Sequence, residues 1–173
     1  MILTHYFIKK KVEKQAAVLS GRKRKYCSLE EARRLLVFYQ EKDKEVVEPC
    51  LEMLRQMKKQ VVVCIYTSRT AAKPLPADYH ILDCQKDVDI WGCPSDAKCK
   101  ELKEINADIL INLTGSDCYA LQYILLQHDC PFKVGAKLGE TDIHDLSISL
   151  TESDDVKYLF EQLLFYLQTI RSK

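Results

Sequence analysis

A short polar turn, Thr114-Gly115-Ser116-Asp117, separates an apolar run at residues 107–113 from a helical pattern. A helix N-terminus presents free backbone N–H groups and a positive dipole end, so a turn at this place can bind an anion such as a phosphate. Side chains that follow two other predicted strands are expected at the same sheet edge, where Lys42 and Arg69 would offset the charge of Asp117. The candidate ligand-binding residues are Thr114, Gly115, Ser116, Asp117, Lys42, Ser68 and Arg69.

The same turn also fits an ordinary helix start. In that interpretation Ser116 caps the helix and Asp117 complements its dipole, and no ligand is involved. Cys118 would then lie in the first helical turn, where a thiol pKa tends to fall. A nucleophile also needs a base, and the sequence places no histidine beside Cys118, so we assign no catalytic residue.

Four residues could ligate zinc within a short stretch: His80, Cys84, Cys93 and Cys99. Structural zinc sites usually contain a Cys-x₂₋₄-Cys step, and this stretch has none, so buried thiols and a surface histidine are the alternative. The chain has 8 cysteines and no Cys-x-x-Cys pair. We therefore predict free thiols and assign no metal and no cofactor.

The N-terminal segment is strongly basic. The whole chain has a net charge of only +1, yet residues 1–26 contain eight basic side chains and one acidic side chain. The candidate polyanion-binding residues are Lys9, Lys10, Lys11, Lys14, Arg22, Lys23, Arg24 and Lys25. With Tyr6 and Phe7 nearby, they predict contact with RNA or a membrane surface; a solvated face and a partner-docking helix are the alternatives.

Alternating strand and helix patterns define the rest of the chain. Strands are predicted at residues 34–39, 61–66, 79–82, 108–113, 132–134 and 146–150, the last as an edge strand. Helices are predicted at residues 2–20, 46–57, 95–105 and 117–128 and from residue 153 onward, with the second beginning near Glu48 or kinked there because of Pro49. This order predicts an α/β domain with an open, mostly parallel five- or six-stranded sheet and helices on both faces. The fold is Rossmann-like or flavodoxin-like, and the expected domains are a basic helical arm at 1–26 and one α/β domain at 27–173.

Several motifs carry a resemblance to known proteins. The chain resembles a family of small uncharacterised proteins of Bacteroides-like bacteria. The features that carry this resemblance are the basic first helix, the Trp91-Gly92-x-Pro94 turn and the runs RLLVFY, ADILINLT, FKVG, LSISL and LFEQLLFYL. That resemblance implies the fold and no activity, because the family is a domain of unknown function. One segment of the chain is also similar to part of the N-terminal half of heptosyltransferase-type glycosyltransferases. This segment consists of the run ADILINLTGSD, the helix that follows it and the run FKVG. Those enzymes bind the nucleotide-sugar mainly in a second Rossmann-like domain.

These observations predict a non-catalytic binding or interaction module with a protein partner or a small anionic ligand. The alternative is a protein that binds, or an enzyme that acts on, a phosphate-bearing small molecule such as a nucleotide or nucleotide-sugar. No apolar run is long enough for a transmembrane segment. The N-terminus lacks the pattern of a secretory signal, so we expect a cytoplasmic protein.

Overall fold

A computed structural model describes residues 2–19, 24–68, 75–140 and 142–171, with side chains from residue 5 onward. The helices are α1 (Ile2–Leu19), α2 (Lys44–Gln56), α3 (Asp96–Lys103), α4 (Tyr119–Gln127) and α5 (Val156–Thr169). The strands are β1 (Arg34–Gln40), β2 (Gln60–Thr67), β3 (Tyr79–Asp83), β4 (Ile109–Asn112), β5 (Lys133–Ala136) and β6 (Leu146–Ile148). A 3-10 turn, Glu41–Asp43, joins β1 to α2.

The six strands form one sheet in the order β3-β2-β1-β4-β5-β6. Every neighbouring pair is parallel. The prediction of an open parallel sheet is therefore confirmed, with six strands and β6 at one edge. The strand order reverses between β1 and β4, as it does in Rossmann-type folds.

Side chains of the central strand alternate between two separate cores. Leu35, Val37 and Tyr39 point to the core shared with α2 and α5. Leu36 and Phe38 point to the core shared with α1, α3 and α4. Both sides of β1 are apolar because helices cover both faces of the sheet, which explains why the strand reads as an uninterrupted hydrophobic run.

The N-terminal helix packs against the second of these cores. Ile8, Val12 and Ala16 lie on one side of α1 and are each no more than 5% exposed. His5 contacts the ring of Tyr119 at the start of α4, whereas Leu19 lines a groove with Leu126 near the end of α4. α1 therefore runs parallel to α4. The domain division at residue 26 stays a prediction.

Helix boundaries match local capping chemistry in two cases and differ from the sequence prediction in two others. The Ser95 hydroxyl accepts a hydrogen bond from the Lys98 amide, and Asp155 accepts one from the Tyr158 amide. α2 begins at Lys44 and has Pro49 inside it, so of the two sequence-based alternatives the start near Glu48 is wrong. α4 begins at Tyr119 with Cys118 as its N-cap residue, so Ser116 does not cap it.

Candidate functional site

The reversal of strand order creates a crevice between the carboxyl ends of β1 and β4. Ligands of open α/β sheets bind at such a place. The loop at residues 41–43 follows β1, and the turn at residues 113–118 follows β4. Since all strands are parallel, Ser68 after β2 lies at the same edge of the sheet. Arg69 lies outside the described residues.

Electrostatics at this crevice are dominated by carboxylates. Burial raises the pKa of the Asp43 carboxyl, the ammonium of Lys42 lowers it, and the carboxylate of Asp117 raises it, so charges of the two loops influence one another. Glu41 adds another carboxylate and accepts a hydrogen bond from the Thr67 hydroxyl at 2.5 Å. The ligand-binding residues predicted from the sequence include Lys42 but neither of the two acidic residues on either side of it. An anion bound here would therefore need backbone N–H groups as well as Lys42.

Thr114 is part of a buried polar network. Its backbone amide and its hydroxyl both donate to Asn112 Oδ1, at 3.1 and 2.6 Å. Because that oxygen accepts, the Asn112 Nδ2 group donates to His144 Nε2 at 3.1 Å, which places the imidazole proton on Nδ1. The Thr114 hydroxyl thus donates its proton within the protein and not to a ligand.

The other residues of the predicted turn are exposed. Gly115, Ser116 and Asp117 lie at the surface before α4. The Ser116 carbonyl accepts a hydrogen bond from the Gln122 side chain at 3.2 Å. Cys118 is buried, and burial raises its pKa to about 12, although the Leu121 amide opposes the shift. The thiol is therefore protonated at neutral pH, which argues against a nucleophilic role.

Gln40 contributes a feature that the sequence did not suggest. This residue ends β1 and is only 9% exposed. Its Oε1 atom is buried and has no hydrogen-bond donor among the described residues. A Cβ atom added to Gly115 would lie 3.9 Å from that oxygen, so the unpaired acceptor lies at the crevice itself. A buried acceptor without a donor is costly, and a ligand hydroxyl or amine, or a water, would satisfy it.

A second candidate surface lies where α1 meets the loop after β3. Phe7 and Trp91 are in edge-to-face contact with ring centroids 4.8 Å apart. Tyr6 contacts Phe7 at 5.8 Å. The carboxylate of Asp89 fixes the loop, because its Oδ1 accepts from the amides of Trp91 and Cys93 at 2.8 and 2.9 Å. We refer to Tyr6, Phe7, Ile90 and Trp91 as the aromatic patch.

The basic residues do not form one stripe. Lys9 lines a cavity of about 520 Å³ with Ser116 on one side of α1, whereas Lys14 lines a groove on the opposite side. Lys10 is paired with Glu13 at 3.4 Å. Beyond the helix, Arg24 contacts Asp145 at 3.3 Å. Arg22 and Lys23 lie outside the described residues.

The residues considered as zinc ligands have other contacts. His80 lies 3.0 Å from a carboxylate oxygen of Glu101. A hydrogen bond links Lys11 to Cys93, and the Cys99 thiol faces the Pro94 carbonyl. In the part of the chain that the structure describes, no group of three or more His, Cys, Asp or Glu side chains is arranged to hold a metal ion. The described helices also include none with the length and apolarity needed to cross a membrane.

Comparison with known proteins assigns the family. The sequence model of a family of unknown function, DUF6913, matches residues 5–170. The chain belongs to the DUF6913 family. This confirms the resemblance to a family of unknown function seen in the sequence, and DUF6913 membership brings no assigned activity. No curated protein matches the DUF6913 chain.

One solved structure is similar in fold to this DUF6913 protein. It is a glycosyl transferase family 9 protein from Veillonella parvula DSM 2008, with 14% identity and a TM-score of 0.51. The match covers 80% of this chain and 42% of that one, so the DUF6913 chain spans less than half of its length. The likeness to a heptosyltransferase-type domain is thereby confirmed for the fold alone, and no specific activity follows from it.

Proposed function

We propose that this protein is a non-catalytic interaction module that binds a protein partner through the aromatic patch. The observation that carries the proposal is the exposure of three aromatic side chains in mutual contact, with exposed Ile90 next to Trp91 in sequence. Tyr6, Phe7, Ile90 and Trp91 are 55%, 43%, 78% and 48% exposed. A contiguous exposed apolar patch is uncommon on a protein without a partner.

The composition of the patch is that of a protein–protein contact centre. Tyr, Trp and Phe are enriched at the cores of such interfaces, and a few of them supply most of the binding free energy. Lys10 lies 5.8 Å from the centre of the Tyr6 ring, at the rim of the patch. This lysine, which also pairs with Glu13, favours a partner with an acidic group at the edge of its apolar surface.

Nucleic acid and membrane fit this surface less well. A polynucleotide needs a row of cations along its path, but the lysines of α1 lie on several sides of the helix. A membrane-bound amphipathic helix inserts its apolar side, and that side of α1 is buried by Ile8, Val12 and Ala16. The aromatic patch is therefore better suited to a folded partner.

Several side chains of types that often act in catalysis instead make hydrogen bonds within the protein, which supports a non-catalytic role. Asn112 holds the imidazole of His144, and His128 Nδ1 accepts from the Cys130 amide at 2.9 Å. All eight cysteines are free thiols. Free thiols are characteristic of proteins in a reducing compartment, and we therefore propose that this protein is cytoplasmic.

The test compares substitutions in the patch with a matched one elsewhere. Ile90→Asp and Trp91→Ala should remove a partner that wild-type protein captures from native cells, and should weaken its binding about 30-fold or more, as expected for an interface anchor. Phe165→Asp is the control, because Phe165 is 58% exposed on α5 at the other face of the sheet. Capture that is unchanged by Ile90→Asp, or that nuclease treatment abolishes, would contradict the proposal.

A second candidate function is the binding of a phosphate-bearing small molecule at the crevice between β1 and β4. The strand order and the unpaired Gln40 Oε1 favour it. The sequence-predicted residues Lys42, Ser68 and 114–117 would line the site, with Arg69 outside the described residues. A nucleoside diphosphate should then raise the melting temperature of wild-type protein but not of Lys42→Gln. The absence of a shift at millimolar ligand would argue against this candidate.

A further inference from the structure

A groove of about 800 Å³ lies between α1 and the C-terminal ends of α3 and α4. We call it the lysine groove. Lys11 and Lys14 of α1 and Lys103 of α3 line it, and its apolar surface includes Leu19 and Leu126. Its volume is within the range of pockets that hold small organic molecules.

The groove has an excess of positive charge. Lys103 lies 3.8 Å from Asp129 Oδ2, which is the carboxylate in the lining. Lys11 is hydrogen-bonded to the Cys93 thiol, and that contact raises the pKa of Lys11, so the side chain stays cationic. Lys14 has no carboxylate partner among the described residues. Three lysines and one carboxylate therefore line the groove, together with apolar side chains.

An unpaired polar atom of Gln15 provides independent support for a ligand in the groove. Its Oε1 atom is buried and lacks a hydrogen-bond donor among the described residues. Gln15 is one of the residues that line the groove, and a primary amide can present either its oxygen or its NH₂ group to a ligand by rotation. A polar ligand atom, or a water, in the groove would satisfy it.

We propose that the lysine groove binds a small anionic amphiphile: one alkyl or aryl chain that carries a single carboxylate or phosphate. The chain lies on Leu19, Leu126 and the ring of Tyr123, and the head group contacts Lys14 and Lys103. Apolar lining alone would accept a neutral molecule; the three lysines select an anion. This site goes beyond the proposed function, because the aromatic patch and the lysine groove can be occupied independently.

Isothermal titration of the full chain with decanoate and decyl phosphate tests the proposal. Both should bind at least tenfold more tightly than decyltrimethylammonium, which has the same chain and the opposite charge. Acetate and inorganic phosphate, which lack the chain, should not bind measurably. Lys14→Glu should weaken decanoate binding at least tenfold. Lys157→Glu on α5, an exposed lysine at the other face of the sheet, should leave it unchanged.

Each contrary result has a definite meaning. Equal binding of the cationic amphiphile, no binding of decanoate, or an unchanged affinity in Lys14→Glu would overturn the proposal. Binding only to anionic lipid vesicles, and not to monomeric decanoate, would also overturn it, because the groove would then not hold a free molecule. Ile90→Asp should bind decanoate like wild-type protein, so failure of the groove is distinguishable from failure of the aromatic patch.

Discussion

The rings of Phe7 and Trp91 meet edge to face, with their centroids 4.8 Å apart. Phe7 belongs to α1 and Trp91 to the loop after β3, so the contact joins the N-terminal helix to the carboxyl edge of the sheet. With Ile8, Val12 and Ala16 buried beneath, α1 has one side in the core and another that builds the exposed surface. The helix is thus both a structural element and the main part of the candidate interaction surface.

Two identical substitutions on α1 test how strongly the helix is anchored. Val12 is 5% exposed and Val18 is 75% exposed. Val12→Ala should lower the free energy of unfolding by about 2 kcal/mol, because it leaves a cavity against α4. Val18→Ala should change it by less than about 0.5 kcal/mol. Urea unfolding measures both, and equal effects would support a separable arm at residues 1–26.

Acid should destabilise the protein through two buried histidines. Burial, together with the positive charge of Lys133, lowers the pKa of His128 to about 4 and that of His144 to about 3. Between these values and the unfolded value of about 6.5, the unfolded chain binds more protons than the folded one. Stability is therefore fully present above about pH 6.5 and falls as the pH decreases, by up to about 1.4 kcal/mol per pH unit for each histidine.

Urea unfolding between pH 5 and 7 checks this pH dependence. His128→Asn keeps an acceptor for the Cys130 amide and removes the titrating group, so its pH slope should be shallower than that of wild-type protein. A slope that stays the same in His128→Asn would show that other groups control the acid sensitivity.

Thiol labelling should divide the cysteines into two classes. Three cysteines are half-buried, at positions 27, 84 and 99, and five are buried, at positions 50, 64, 93, 118 and 130. In native protein a thiol reagent at neutral pH should modify at most the first three within minutes, because burial blocks the access of the reagent to the other five thiols. All 8 should react in denaturant without reductant. Fewer than that number would reveal a disulfide.

Gly135 should be the least replaceable glycine of the described chain. A Cβ atom there would lie 2.5 Å from His144 Nε2 and 2.9 Å from the Asn112 carbonyl oxygen. Gly135→Ala should therefore cost several kcal/mol, about 3 or more, because the backbone carbonyl cannot move aside. Gly115→Ala is the matched control, because its Cβ would meet the flexible Asp117 carboxylate at 3.1 Å and Gln40 Oε1 at an ordinary contact distance of 3.9 Å. Comparable losses of stability in the two variants would contradict the conclusion that the space between β4 and β5 is too crowded for a Cβ atom at Gly135.

The sequence determined the layers of the fold. Uninterrupted apolar runs in β1, β2 and β4 require coverage on both faces, and the alternation with amphipathic helices requires parallel strands. The helix starts predicted at residues 95 and 153 lie within two residues of the observed N-caps, Ser95 and Asp155, because a cap is a local hydrogen bond. The start of α4 was predicted two residues too early, because Cys118, a residue type that seldom caps helices, occupies the N-cap position after an exposed turn.

Only the tertiary structure decided which residues share a surface. The sequence placed Lys42 beside the turn at residues 114–117 by strand topology, but the influence of the Asp117 charge on Asp43 depends on the packing of two loops. The aromatic patch and the lysine groove arise where α1 docks on α4, and helix docking is set by side-chain packing between segments distant in sequence. Local periodicity specifies which side of a helix is buried. It does not specify the neighbour against which that side is buried.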